Sequence, residues 1–374
     1  MERTYLDAGG RAPVHPAARE AYLAALDEGW ADPGRLHAEG RRARLLLDAA
    51  RETLAESLGV LPQEVHLTPS HTASLHTAVT SAARARRRTG RRVVASAVER
   101  AALLAAARGV DDDATTVPVD RQGRVDLEAW QAALTADVAL AALQHANGEV
   151  GTLQPVAEAY EAARRAGVPL LVDAGSSVAH APVEPVWDLL AADPSDWGAP
   201  PGVGVLAVRT RVRMSHPGPE DEDPWAPGGV SVPTALAAAA ALRAALAEAH
   251  EPDPRRALVD QIRTSVPARV PEVEVAGDPV HRLPHVVTFS CLYVDGEALV
   301  TELDRQGFAV GSGSACTSSS LEPSHVLAAM GLLTQGNVRV ALPRGIDPAA
   351  VTRFCDELPA AVARVRAMVE AADL

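Results

Sequence analysis

A cysteine set among glycine and serine, in "GSGSACTSSSLEPSHVLAAMG" at residues 311 to 331, is the place in this chain best equipped for covalent chemistry. The Gly/Ser run is too flexible to be core, and a helix opened by "SLEP" brings the positive end of its dipole nearby, which favours the thiolate of Cys316. A thiolate is a nucleophile. The ordinary alternative for a single cysteine, a small buried hydrophobe, suits Cys291 in the apolar run "HVVTFSCLYV" better. The second chemical fact is an absence. All 35 basic residues are arginine and none is lysine, so no lysine amine is available to form an imine or to move a proton. Codon bias in a GC-rich genome is the simplest source of such a replacement, and it does not restore the amine.

The elements that must position Cys316 follow from periodicity. Helical spacing runs through "PAAREAYLAALDEG", "GRRARLLLDAARETLAESLG" and "VAEAYEAARRAG", each closed by a glycine expected to be left-handed. Between them lie "EVHLTP", "RRVVASA", "VALAALQ", "VPLLVDAG" and "GVGVLAVR", each of strand length and apolar on both faces. Such strands belong in a mostly parallel sheet with helices on both sides. Beyond them "MSHPGPEDEDPWAPGG" reads as an exposed loop, its acidic run at 219 to 223 solvated or, less simply, docking a basic partner. The Ala-rich helix "VPTALAAAAALRAALAEAH" follows. Helix, strand "HVVTFSCLYV", helix, cysteine loop, helix, strand "NVRVAL" and a last helix then make an α+β arrangement suited to a second, smaller domain.

Composition narrows the functions. Hydrophobic residues at 47% and charged residues at 22% suit a globular chain, and the net charge of -13 disfavours nucleic acid as a partner. The first residues lack an apolar signal core, and no apolar run reaches about 18 residues, so neither secretion nor a membrane span is expected. A cytoplasmic location is the expectation. Cys291, Cys316 and Cys355 are too few and too scattered for a disulfide framework or a CxxC-type metal site.

Taken from "YLDAGGRAPVHPAARE" through "ADPGRLHAEGRRAR", "VHLTPSHTASLH", "QHANGEVGTLQP", "LLVDAGSSVAHAPV" and "APPGVGVLAVR" to "VDGEAL", the cysteine loop and "NVRVALPRG", the chain resembles the NifS/IscS-like cysteine desulfurases. These are pyridoxal-phosphate (PLP) enzymes of aminotransferase class V. The resemblance covers nearly the whole chain. It implies an α/β fold of the PLP-transferase type I: an N-terminal arm, 1–15, packing with the small domain; a large domain, 16–250, around a seven-stranded, mostly parallel mixed sheet; and a small C-terminal α+β domain, 251–374, carrying the cysteine loop. A homodimer is implied as well. The long Ser-rich loop resembles that of desulfurases with a long mobile cysteine loop. On this likeness Cys316 attacks the substrate sulfur and holds it as a persulfide, and Arg339 grips the substrate carboxylate with its planar fork. For Arg339 alone, a structural salt bridge is the plainer reading.

By the same likeness Asp173 pairs with the pyridine nitrogen, and Thr72 binds the phosphate before a helix N-terminus. The remaining cofactor contacts depart from the family. Its Schiff-base lysine falls at Asp196, the histidine before it at Ser195, and the histidine over the ring at Arg100, after Glu99. Asn147, Gly148 and Glu149 stand for Asn-Asn-Glu, and Ser176 for a glutamine that reaches the ring oxygen. Ser70 and His71 replace Gly and Ala of the phosphate loop, and Val230 a threonine from the neighbouring subunit. Thr72, Asp173, Asn147, Ser176, Arg100 and Asp196 then form a vestigial cofactor set, with the Asp196 carboxylate where the cofactor aldehyde would lie, close to Asp173, and Arg100 as their counter-charge.

A carboxylate cannot form an imine, so no covalent PLP is expected, with non-covalent PLP left as the alternative. His71, His76 and His145 could meet Asp173 or Asp196 at a metal. Their spacing fits no compact motif, however, so satisfied or solvated histidines and no metal are expected. Three functions stay open. The favoured one is a desulfurase-like protein that accepts or relays sulfur on Cys316, or partners an active desulfurase, which implies a sulfur donor or acceptor protein. The others are an enzyme that uses non-covalent PLP or needs no lysine on a thiol substrate, and a pseudoenzyme that binds a small anion.

Overall fold

The computed structural model describes residues 3–112, 114–216, 223–249, 252–312 and 323–372. After a short strand, β1 (Thr4–Tyr5), come helices α1 (Pro16–Glu28) and α2 (Ala38–Leu58). The central sheet is built from β2 (Val65–Thr68), β3 (Arg92–Ser96), β4 (Thr115–Val117), β5 (Val138–Gln144), β6 (Leu170–Asp173), β7 (Leu189–Ala192) and β8 (Gly204–Val208). These seven lie in the order β2-β8-β7-β6-β5-β3-β4, and β8 is the one strand of the seven that runs against the direction of the rest. The expected mostly parallel mixed sheet is therefore present.

Period-two alternation explains the layering. Val94, Ala141, Leu143, Leu170, Val172, Leu190 and Val205 point to one face, while Val93, Leu140, Ala142, Leu171, Leu189 and Leu206 point to the other. The second face is covered by α3 (His71–Ala85) and α4 (Ala101–Val110). The first is covered by α2, α5 (Leu127–Ala133), α6 (Val156–Arg165) and the Ala-rich α7 (Val232–Ala247). With both faces buried, each fully buried leucine contributes about 1.5–3 kcal/mol.

A separate core forms around a three-stranded antiparallel sheet, β12-β10-β9, made of β9 (Val273–Val275), β10 (Val286–Cys291) and β12 (Asn337–Ala341). Its helices are α8 (Arg255–Arg269), α9 (Gly296–Arg305) and α11 (Pro348–Ala372), while the short α10 (His325–Ala329) packs in a small cluster with Val98, Val150 and Ala276. The arm joins this unit. β1 pairs in parallel with β11 (Phe308–Ala309), and Leu6 is buried in the same core.

Three details differ from expectation. Gly59 and Gly167 are left-handed, at φ 64° and 68°, but Gly29 has φ -111°. Its role is space: a Cβ there would come within 2.9 Å of Val232 on α7. The loop after β8 is not wholly exposed. Trp225 stacks on His66 with ring centres 3.6 Å apart, and Ala226 is buried, while residues 219–222 of the acidic run lie outside the described residues. Strands β4 and β7 were also not foreseen, because one is a three-residue edge and the other, "LLAA", has no β-branched residue. Among the described residues, no helix is long and apolar enough to cross a membrane.

Candidate functional site

The parallel strands β3, β5, β6 and β7 end on one side of the sheet, where open α/β sheets place their ligands. A cavity of about 560 Å³ opens there. Glu99 and Arg100 follow β3, Gln144 ends β5 with Asn147 to Glu149 just beyond, Asp173 ends β6, and Asp193 and Ser195 follow β7. The opposite wall comes from the arm at Gly9 to Arg11, and from Ser324, His325 and Arg339.

Asp173, 2% exposed, lies beneath the floor, behind the lining side chains of His71 and Arg100. Arg100 Nε donates to its Oδ2 at 3.0 Å, and the Gly175 N–H donates to Oδ1 at 2.8 Å. His71 Nε2 lies 2.9 Å from Oδ1. Burial alone would raise this carboxyl, but His71 and Arg100 outweigh it and hold Asp173 below the usual carboxylate range. Arg100 goes on to donate from Nη2 to Ser176 Oγ at 2.6 Å. The fit depends on Gly148, where a Cβ would come within 2.5 Å of Ser176 Oγ.

Other expected site residues have settled roles. Thr72 is exposed in the first turn of α3, whose N-cap is Ser70, with Ser70 Oγ accepting from the Ala73 N–H at 3.1 Å. Asn147 spends its amide on the backbone: Oδ1 accepts from the N–H groups of Glu149 and Val150 in its own turn, and Nδ2 donates to Val98 O beyond the end of β3. Arg339 lines the cavity from β12 and donates from Nη2 to Asp7 Oδ1 at 2.8 Å, the ion pair foreseen as its plainer reading. Burial pushes the Glu99 carboxyl well above its usual range, against the Gln144 N–H that bonds it. Glu149 is likewise raised by burial and accepts from Ser324 Oγ at 2.7 Å.

Asp196 requires a correction. It is not on the wall of this cavity beside Asp173. It sits in the 3-10 turn Pro194–Trp197, which Asp193 caps by accepting from the Ser195 N–H, and that turn presents Asp193 and Ser195 to the cavity. Asp196 faces a second cavity of about 340 Å³ between the arm, α7 and the start of α8. There His180 Nε2 lies 3.2 Å from Asp196 Oδ2, and the His285 ring is 4.0 Å from that of His180.

Among the described residues, the histidine and carboxylate ligands that come close enough for a metal are therefore His180, Asp196 and His285, not His71, His76 and His145. The hydrogen bonding argues against a metal even here. Arg255, held by Asp253 and Leu342 O, reaches His180 Nδ1 at 3.1 Å; arginine can only donate, so neutral His180 carries its proton on Nε2, facing Asp196. His76 is exposed, and His145 is half-buried and apart from the group. His180, His285 and Asp193 went unnoticed because no spacing links them. The "SVAH" after Asp173 was the available signal.

The aminotransferase class-V family model matches residues 4–354. The chain belongs to that family. Its similarity is to the cysteine desulfurases: 35% identity to the cysteine desulfurase of Cereibacter sphaeroides, over 98% of each chain, and 34% to the cysteine desulfurase NifS of Azotobacter vinelandii, over 98% of this chain and 94% of that one. In three dimensions it matches a NifS-like protein with TM-score 0.87 at 24% identity, covering 96% and 99% of the two chains. The shared architecture accounts for the strand-end cavity in this desulfurase-family chain.

The PLP that the desulfurase family implies does not fit the residues present. Both oxygens of Asp173 are engaged by the chain's own groups, the Asn147 amide is spent on backbone groups of its turn and of Val98, and the residue matched to the lysine is a carboxylate turned into another cavity. Cys316 lies outside the described residues. The other two cysteines are buried, with burial pushing the Cys291 thiol up to about 11 and raising Cys355 as well.

Proposed function

We propose that this member of the desulfurase family handles sulfur through Cys316 without an imine-forming cofactor. It works as a homodimer in the cytoplasm and exchanges sulfur with a donor or acceptor protein. The observation that carries this reading is the complete absence of lysine from a chain otherwise similar to desulfurases along nearly its whole length. The chemistry left to it is thiol exchange. The Cys316 thiolate attacks the outer sulfur of a donor persulfide, a new S–S bond forms as the old one breaks, and the donor thiolate leaves with the electron pair. No oxidant is needed, because the step moves sulfur at constant oxidation state. Arg339, at the cavity wall beside the arm, holds a carboxylate of the incoming sulfur carrier by trading its bond to Asp7.

The test mixes the protein with an active desulfurase and cysteine, then maps its peptides by mass. One added sulfur on the Cys316 peptide, absent in Cys316→Ser, is the expected result. Sulfur on none of the three cysteines would overturn the reading.

A further inference from the structure

The floor of the main cavity is filled by the chain's own cation. Arg100 Nε gives its N–H to Asp173 Oδ2 at 3.0 Å, Nη2 reaches Ser176 Oγ at 2.6 Å, and His71 Nε2 closes on Asp173 Oδ1 at 2.9 Å. A pyridinium ring meeting Asp173 and residue 176 would be planar and positively charged, with one N–H on the carboxylate and a polar edge toward residue 176. The guanidinium supplies those features from within the chain.

The backbone is shaped to the same arrangement at two positions. A Cβ on Gly148 would come within 2.5 Å of Ser176 Oγ, and one on Gly175 within 2.5 Å of His71 Nε2. Each glycine makes room for a different side chain of the network. Damage to a disused pocket has no reason to produce matched fits on both sides of one carboxylate.

We infer that Arg100, backed by His71, stands in place of the cofactor ring as a built-in counter-ion for Asp173, so that this pocket is complete without PLP and closed to it. A pyridine ring reaches Asp173 only if the Arg100 ion pair breaks, and breaking it takes from the buried Asp173 carboxylate the half-buried cation that compensates it. This inference goes beyond the sulfur chemistry and does not depend on it: failure of Cys316 to take up sulfur would leave it standing.

The test is equilibrium dialysis of the full chain against PLP itself, with retained cofactor read by absorbance. Because the chain has no lysine, adventitious imines with side-chain amines do not obscure the result. Wild type is expected to retain none, whereas Arg100→Ala or Arg100→His binds PLP at least about tenfold more tightly. Melting temperature gives an independent reading if the single variant is poorly folded. Arg100→Ala lowers it, and adding Asp173→Ala recovers part of the loss, since the unpaired carboxylate is then gone. Stoichiometric retention of PLP by wild type would overturn the inference. So would folded Arg100 variants that bind no better than wild type, or a double variant no more stable than Arg100→Ala.

Discussion

At the scale of single residues, two of the three cysteines are committed to packing. Cys291 and Cys355 are buried with raised thiols, so only a small fraction of either is thiolate near neutral pH. Cys316 is therefore expected to take up iodoacetamide first, and peptide mapping after brief exposure checks this; equal labelling of all three would remove its special standing. Asp196→Lys is expected neither to yield a pyridoxyl adduct with PLP and borohydride nor to desulfurate cysteine efficiently. The side chain at 196 faces His180 in the second cavity, Arg100 fills the floor of the first, and the new amine meets Arg255 and Arg344 across the second cavity. A thermal melt should show the variant less stable than wild type. A pyridoxyl adduct at residue 196 comparable to that of an authentic desulfurase would contradict this placement. The replacement of the lysine was legible in the sequence, but the direction of Asp196 was not. The turn begun by Pro194 and capped by Asp193 decides it, and no one-dimensional spacing encodes that rotation.

At the scale of elements, the strands that deliver the site were readable because both their faces are apolar. "VALAALQ" and "VPLLVDAG" declare themselves, and Asp173 stands out as the polar residue ending a buried run. What could not be read is how neighbouring strand ends meet. Arg100, Gly148 and Ser176 come from three connections, and their mutual fit exists only in three dimensions. That fit makes a prediction. Gly148→Ala should cost about 1–3 kcal/mol through overpacking against Ser176, and Ser176→Ala in the same chain should recover part of it. Urea unfolding of both single variants and the double variant measures the coupling, and strict additivity would mean the two positions do not press on one another.

At the scale of the whole molecule, buried neutral histidines link stability to pH. Burial lowers His66 and His145 to about 4, and His285 well below its ordinary value. Between about pH 6.5 and 4 the unfolded chain therefore binds more protons at these residues than the folded one. Stability falls as pH drops through that window, by about 1.4 kcal/mol per pH unit for each fully titrating histidine. Glu99, raised by burial, acts in the opposite sense: its contribution is present at low pH and is lost as pH rises through its elevated range. Melting curves from pH 7 to 5 should show the net loss, with a shallower slope in His145→Gln; an unchanged slope in that variant would contradict the assignment.

Sulfur handling without imine chemistry is put to the test by offering the purified chain cysteine and PLP and measuring alanine, the product left when cysteine loses its sulfur. A chain without a lysine amine and with Arg100 on Asp173 is predicted to form no alanine above the protein-free control. Alanine formed in proportion to the protein added, turnover after turnover, would contradict the account.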